Sequence, residues 1–192
     1  IKPHVMKYDE SQEFPLEIMK RLGELGFMGI TFPEKYGGAN FTYLELVAIV
    51  EEISKYDPSI GLSVSAHNGL CTNHIYTFGN EEQREKYLPD LCSGRKIGAW
   101  ALTEPGAGSD AGGMRTTGVR DGDSYLLNGT KTFITHGSVG GTIVVIAITD
   151  KSKGKKGISA FVLEPTMEGV SVGKKENKLG MRASDTASLV FD

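Results

Sequence analysis

The stretch Trp100-Ala101-Leu102-Thr103-Glu104-Pro105-Gly106-Ala107-Gly108-Ser109-Asp110 constrains this chain most, because the character of the sequence changes across it. Before it, apolar residues recur at helical spacing. After it come short apolar runs separated by glycine turns. A short strand runs into Thr-Glu-Pro, which stops it, and then into a glycine-rich loop. Such a loop offers bare backbone N–H groups beside the hydroxyls of Thr103 and Ser109, a means of gripping a planar polar ring or a phosphate. On composition alone the loop is equally well a plain turn. Gly106-x-Gly108-x-x-Ala111 also fits a permissive dinucleotide fingerprint. That reading fails on context: no amphipathic helix follows, and Lys131 stands where a ribose-binding acid is expected.

Upstream, Ile18, Leu22 and Leu25 mark a helix behind Pro15, ended by Gly26. Thr42-x-x-Glu45 is a capping box. The stripe Leu46, Val47, Val50 and Ile53 that follows reads as a buried face. Asp57-Pro58 starts a further helix. Leu62, Val64 and Ala66 alternate with Ser63, Ser65 and His67 like a strand, but the start signal and small residues favour a tightly packed helix. Asn80 caps Glu81 to Leu88, and Pro89 is expected to follow that helix.

Downstream, Ile97 to Leu102 reads as a first strand. Arg115 to Arg120 and Ser124 to Leu127 flank Asp121-Gly122-Asp123, a hairpin signal. Asn128-Gly129 reads as a second turn before a strand over Lys131 to Thr135. Ile143 to Ile148 is a strand buried on both faces. Lys151 to Lys156 reads as a solvated basic loop, and further short strands cover 158–163, 170–172 and 188–191. The fold class is therefore a multi-domain α and β chain: a helical domain over residues 1–95, then an antiparallel β-barrel or sandwich over 96–192.

Composition narrows function by exclusion. The chain has 192 residues, 39% of them hydrophobic and 23% charged, as suits a soluble globular protein. A net charge of −3 argues against a nucleic-acid role. No apolar run approaches the roughly 18 residues of a membrane span. The two cysteines, Cys71 and Cys92, give no disulfide framework. Cys71-x-x-His74 lacks a second ligand pair at metal spacing, and His67 reads as a structural histidine. Both ends look cut, as in part of a longer enzyme.

Five segments in order carry a family likeness: Pro33 to Gly38, Gly79 to Pro89, Leu102 to Asp110, Asn128 to Thr135, and Lys178 to Arg182. On them the chain resembles the acyl-CoA dehydrogenases, and the resemblance covers nearly its whole length. It implies the family's N-terminal helical and middle β-barrel domains, with the C-terminal helical bundle missing. The implied reaction is FAD-dependent conversion of an acyl-CoA thioester to its trans-2-enoyl form, by α-proton abstraction with hydride transfer to flavin N5. The implied partners are an electron-transferring flavoprotein and further copies in a homotetramer.

Carried over residue by residue, Trp100, Ala101, Leu102 and Thr103 edge the flavin, with Thr103 at its pyrimidine end. Gly108 belongs to the same loop, and Ser109 lies near both flavin and substrate. Phe133, Ile134 and Thr135 form a second wall, Thr135 near N5. Many relatives carry Trp where this chain has Phe133, so the indole N–H is lost there. The catalytic carboxylate of the family lies in its C-terminal domain, so none is assigned here, Glu104 included, and the 192 residues alone are expected to be inactive. Residues 62–70 are expected to face a short or branched acyl group. An oxygen-using acyl-CoA oxidase and a non-catalytic acyl-CoA-binding scaffold are the competing readings. The implied location is bacterial cytoplasm or mitochondrial matrix.

Overall fold

A computed structural model describes all of residues 1–192. Six helices come first: α1 (Val5–Ser11), α2 (Leu16–Glu24), α3 (Tyr43–Ser54), α4 (Pro58–Ala66), α5 (Asn73–Phe78) and α6 (Glu81–Cys92). Their starts are chemically explicit. The Thr42/Glu45 and Asn80/Gln83 capping boxes both form, and the Asp57 carboxylate accepts from the N–H groups of Ser59 and Ile60. Residues 62–70 are helical, as expected. There α4 passes into α5 through one wide π turn, His67–Thr72, a local widening of the kind that often marks a functional site.

Two helical expectations need correction. Pro89 lies inside α6 rather than after it. The stripe on α3 is buried only at Ile53, while Val47 is 62% exposed. Ile53 belongs to the core cluster formed with α2 and α4, and Leu46, Ile49 and Val50 pack against it half-buried, so Val47 is the member of the stripe that misses the core.

Seven strands follow: β1 (Gly98–Ala101), β2 (Thr117–Asp121), β3 (Ser124–Thr135), β4 (Thr142–Ile148), β5 (Ile158–Leu163), β6 (Val170–Lys175) and β7 (Thr186–Phe191). They form one curled sheet in the order β1-β4-β2-β3-β7-β6, with β5 on β4. Most pairs are antiparallel, but β1 runs parallel to β4, and β2 meets β4 in parallel at Thr117 and Ile148. The sheet is therefore mixed, a half-barrel. Asn128-Gly129 makes no turn. β3 runs straight through it: Gly129 continues the strand at φ 152°, a conformation that favours glycine, and a Cβ there would stand 2.5 Å from the Thr116 hydroxyl. β4 is buried along nearly its whole length, as its six apolar residues require.

Helices and sheet share their core. Phe32, Cys71, Leu88 and Leu91 from the helical side pack with Val144 and Ile146 of β4. The junction is fixed at Gly98. Its N–H donates to His67 Nδ1 at 2.9 Å, and its carbonyl accepts from His136 Nδ1 at 2.9 Å. His67 Nε2 in turn donates to the Leu91 carbonyl at 3.0 Å, which fixes its neutral tautomer. Burial, and then the neighbouring His136, push His67 down to about 3. The expected structural role of His67 holds.

Gly98 leaves no room for a side chain: a Cβ there would stand 2.7 Å from Cys71 Cβ. Gly98→Ala is expected to lower unfolding free energy by roughly 1–3 kcal/mol through overpacking. In a denaturant titration the midpoint should fall with an unchanged slope.

Candidate functional site

The carboxyl end of β1 and the last turn of β3 face each other across a groove. Three contacts hold them there. The Thr132 N–H donates to the Thr103 carbonyl at 2.8 Å. Lys131 Nζ donates to the Leu102 carbonyl at 2.9 Å and to Glu104 Oε1 at 2.8 Å. Lys131 is fully buried, and Glu104 is 7% exposed. The two Glu104 oxygens also accept the N–H groups of Arg115 at 2.6 Å and Thr116 at 2.9 Å. One carboxylate thus closes the entire glycine loop, from its start at Glu104 to its return at Thr116. It is fully engaged by these partners.

β3 is built irregularly where it lines the groove. Lys131 pairs with Leu189, but Ile134 pairs with Ala187, so β3 carries one extra residue against β7. That residue is accommodated by Phe133 in the left-handed region, φ 56°. Such a conformation costs about 1–2 kcal/mol for a bulky residue. Around the bulge the adjacent Lys131 and Thr132 are both buried, Ile134 is buried, and the Phe133 ring is 63% exposed. His136, also left-handed at φ 63°, ends the segment. Strain of this kind gathers at functional sites.

The groove contains a cavity of about 190 Å³ lined by Trp100, Leu102, Thr103, Phe133, Ile134 and Thr135, with Ala66 and Leu70 from the helical side. Six of the nine flavin-contact residues expected from the sequence therefore share one lining. The other three lie apart. Ala101 turns its side chain into the core and can offer only backbone. Gly108 is exposed on the loop. Ser109 lines a neighbouring cavity of about 360 Å³ with Leu102, Gly112 and Lys155. Within 62–70, Ala66 and Leu70 reach the groove, while Leu62 is 40% exposed.

Two features were not foreseen from the sequence, the buried Lys131–Glu104 pair and the bulge at Phe133. The first had a signal: Lys131 sits in a run otherwise typical of a buried strand. The second had none in composition, because Phe is an ordinary strand residue.

Residues 1–95 match the family model for the acyl-CoA dehydrogenase N-terminal domain, and residues 99–192 match that for the middle domain. The chain belongs to the acyl-CoA dehydrogenase family. It is 49% identical over 192 residues to the short-chain specific acyl-CoA dehydrogenase of Clostridium acetobutylicum, covering 100% of this chain and 51% of that one. Among solved structures, it superposes with TM-score 0.98 and 47% identity on a chain of the structure described as the electron transferring flavoprotein of Acidaminococcus fermentans, covering 100% of this chain and 50% of that one. It superposes with TM-score 0.93 and 36% identity on a glutaryl-CoA dehydrogenase from Mycobacterium smegmatis in complex with FADH2, covering 100% of this chain and 48% of that one. The chain spans about half the length of the curated relatives it matches.

Lys131→Met would leave the Glu104 carboxylate buried beside only two N–H donors. The expected loss is roughly 3–5 kcal/mol of stability, read from equilibrium unfolding. Burial pushes the Glu104 carboxyl up, but the hydrogen bonds from Lys131, Thr116 and Arg115 outweigh it and hold it well below its ordinary 4.5. The folded chain therefore binds this proton less readily than the unfolded chain. Its stabilisation is complete above 4.5 and is lost as pH falls below that value. Stability measured against pH should fall less steeply there in Glu104→Gln than in the unsubstituted protein.

Proposed function

We propose that this chain forms the flavin- and acyl-facing part of an FAD-dependent acyl-CoA dehydrogenase that acts on a short or branched acyl thioester. The observation that carries this reading is the groove, in which an apolar wall and two threonine hydroxyls converge on one cavity. That donor set fits the flavin ring, a flat aromatic body with a polar edge. Trp100, Leu102 and Phe133 offer apolar surface, and Thr103 and Thr135 offer hydroxyls. The loop beside it leaves space, since a Cβ at Gly106 or Gly108 would meet no atom within 4 Å.

Bound FAD would supply the hydride-accepting chemistry. The chain's own residues position and shield. Trp100 to Thr103 hold one side of the ring, with Ala101 acting through backbone, and Phe133, Ile134 and Thr135 hold the other. Gly108 and Ser109 lie along the loop toward the second cavity, where Ser109 would serve both flavin and substrate. Ala66 and Leu70 would set the floor against which a small acyl group rests. Trp100 and Leu102 also exclude water, which strengthens each hydrogen bond made inside. No residue of this chain is assigned as the base that takes the α-proton. Delivery of electrons to an electron-transferring flavoprotein, and assembly as a homotetramer, complete the proposal.

The protein carrying this chain should be isolated yellow or take up added FAD. Without oxygen, its visible flavin bands should bleach on addition of butyryl-CoA or isovaleryl-CoA. A colourless protein that takes up no FAD would overturn the proposal. Thr135→Val should weaken FAD binding by about threefold to tenfold, the worth of one hydrogen bond, in an equilibrium titration.

A further inference from the structure

We propose that His74 is a positioning residue for the groove, its neutral imidazole holding the Trp100 indole as a wall. Trp100 Nε1–H donates to His74 Nδ1 at 3.4 Å, the long end of a hydrogen bond. An indole has a donor and no acceptor, so its partner must present a lone pair. Neutral imidazole does so, and imidazolium does not.

The His74 ring is itself fixed. It lies 4.8 Å from the Phe78 ring and 6.3 Å from the Trp100 ring, centre to centre, and so stands between an exposed phenyl and the indole. Phe78 is 74% exposed, so this row of three rings runs from the surface to the groove. On its other side His74 lines a separate cavity of about 190 Å³ between α5, α6 and β5. The side chains that line this cavity with it, Ile75 and Phe78 of α5, Gln83 of α6, and Phe161 and Val162 of β5, carry no titratable group, and no charged neighbour acts on its proton. Burial alone lowers its affinity for a proton. At neutral pH the acceptor is therefore in place. Acidification would remove it and free the indole to turn.

Trp100 is the chain's single tryptophan. Fluorine NMR of the protein carrying this chain, labelled with 5-fluorotryptophan, follows it directly, with its resonance assigned by loss in Trp100→Phe. As pH is lowered from about 7.5 to about 5, the resonance should shift with a midpoint below 6.5. This titration should vanish in His74→Asn and in His74→Leu. At neutral pH, His74→Leu should displace the resonance, whereas His74→Asn, whose Oδ1 replaces Nδ1 as acceptor, should keep it in place. The affinity arm rests on the flavin reading above: the dissociation constant for FAD should rise about threefold to tenfold in His74→Leu and stay within about twofold in His74→Asn. A resonance indifferent to pH in the unsubstituted protein, or one unmoved by His74→Leu, would overturn the proposal. Failure of His74→Asn to restore it would do so too. Absence of FAD binding in the unsubstituted protein would instead contradict the flavin reading, and the fluorine measurements would still decide the role of His74.

Discussion

Removing the buried ion pair between Lys131 and Glu104 would leave the groove without a frame. Lys131 comes from β3, and Glu104 from the residue that follows the end of the β1 wall. Between them they set the spacing of both walls and close the glycine loop by way of Arg115 and Thr116. Burying two charges is unfavourable unless each is also hydrogen-bonded. Here the ammonium has the Leu102 carbonyl and the carboxylate has two N–H donors. The pair is thus suited less to raising stability than to admitting a single geometry of the groove walls.

The second constraint is the seam between helices and sheet. β1 begins at Gly98, whose two backbone polar groups are taken by His67 and His136 from different parts of the chain. The same π turn that places His67 follows directly on Ala66 and includes Leu70, the two helical residues that reach the groove. Packing, strand position and the helical side of the groove are therefore set together.

Much of this was legible in the sequence. The capping residues Thr42, Asp57 and Asn80 announced their helices through local chemistry, and the apolar run of β4 announced its burial. The Trp100–Asp110 stretch stood out by itself, but the second wall, Phe133 to Thr135, was legible only through family resemblance. Periodicity alone offered strands and a loop, with no indication that Thr103 and Thr135 face one cavity. The misses have a common cause. Gly129, Phe133 and the exposed face of α3 depend on what lies opposite them in space. Gly129 carries β3 past Thr116, which leaves no room for a Cβ, Phe133 takes its left-handed backbone where β7 has one residue fewer, and Val47 is exposed while Leu46, Val50 and Ile53 meet the core. None of these neighbours is close in sequence.

The most direct test of the account is a structure of the protein carrying this chain determined with FAD bound. The flavin ring should lie between the Leu102–Thr103 edge and the Phe133–Thr135 segment, with Lys131 and Glu104 still paired behind it. A flavin ring bound elsewhere, or a groove filled by the protein's own side chains, would contradict it.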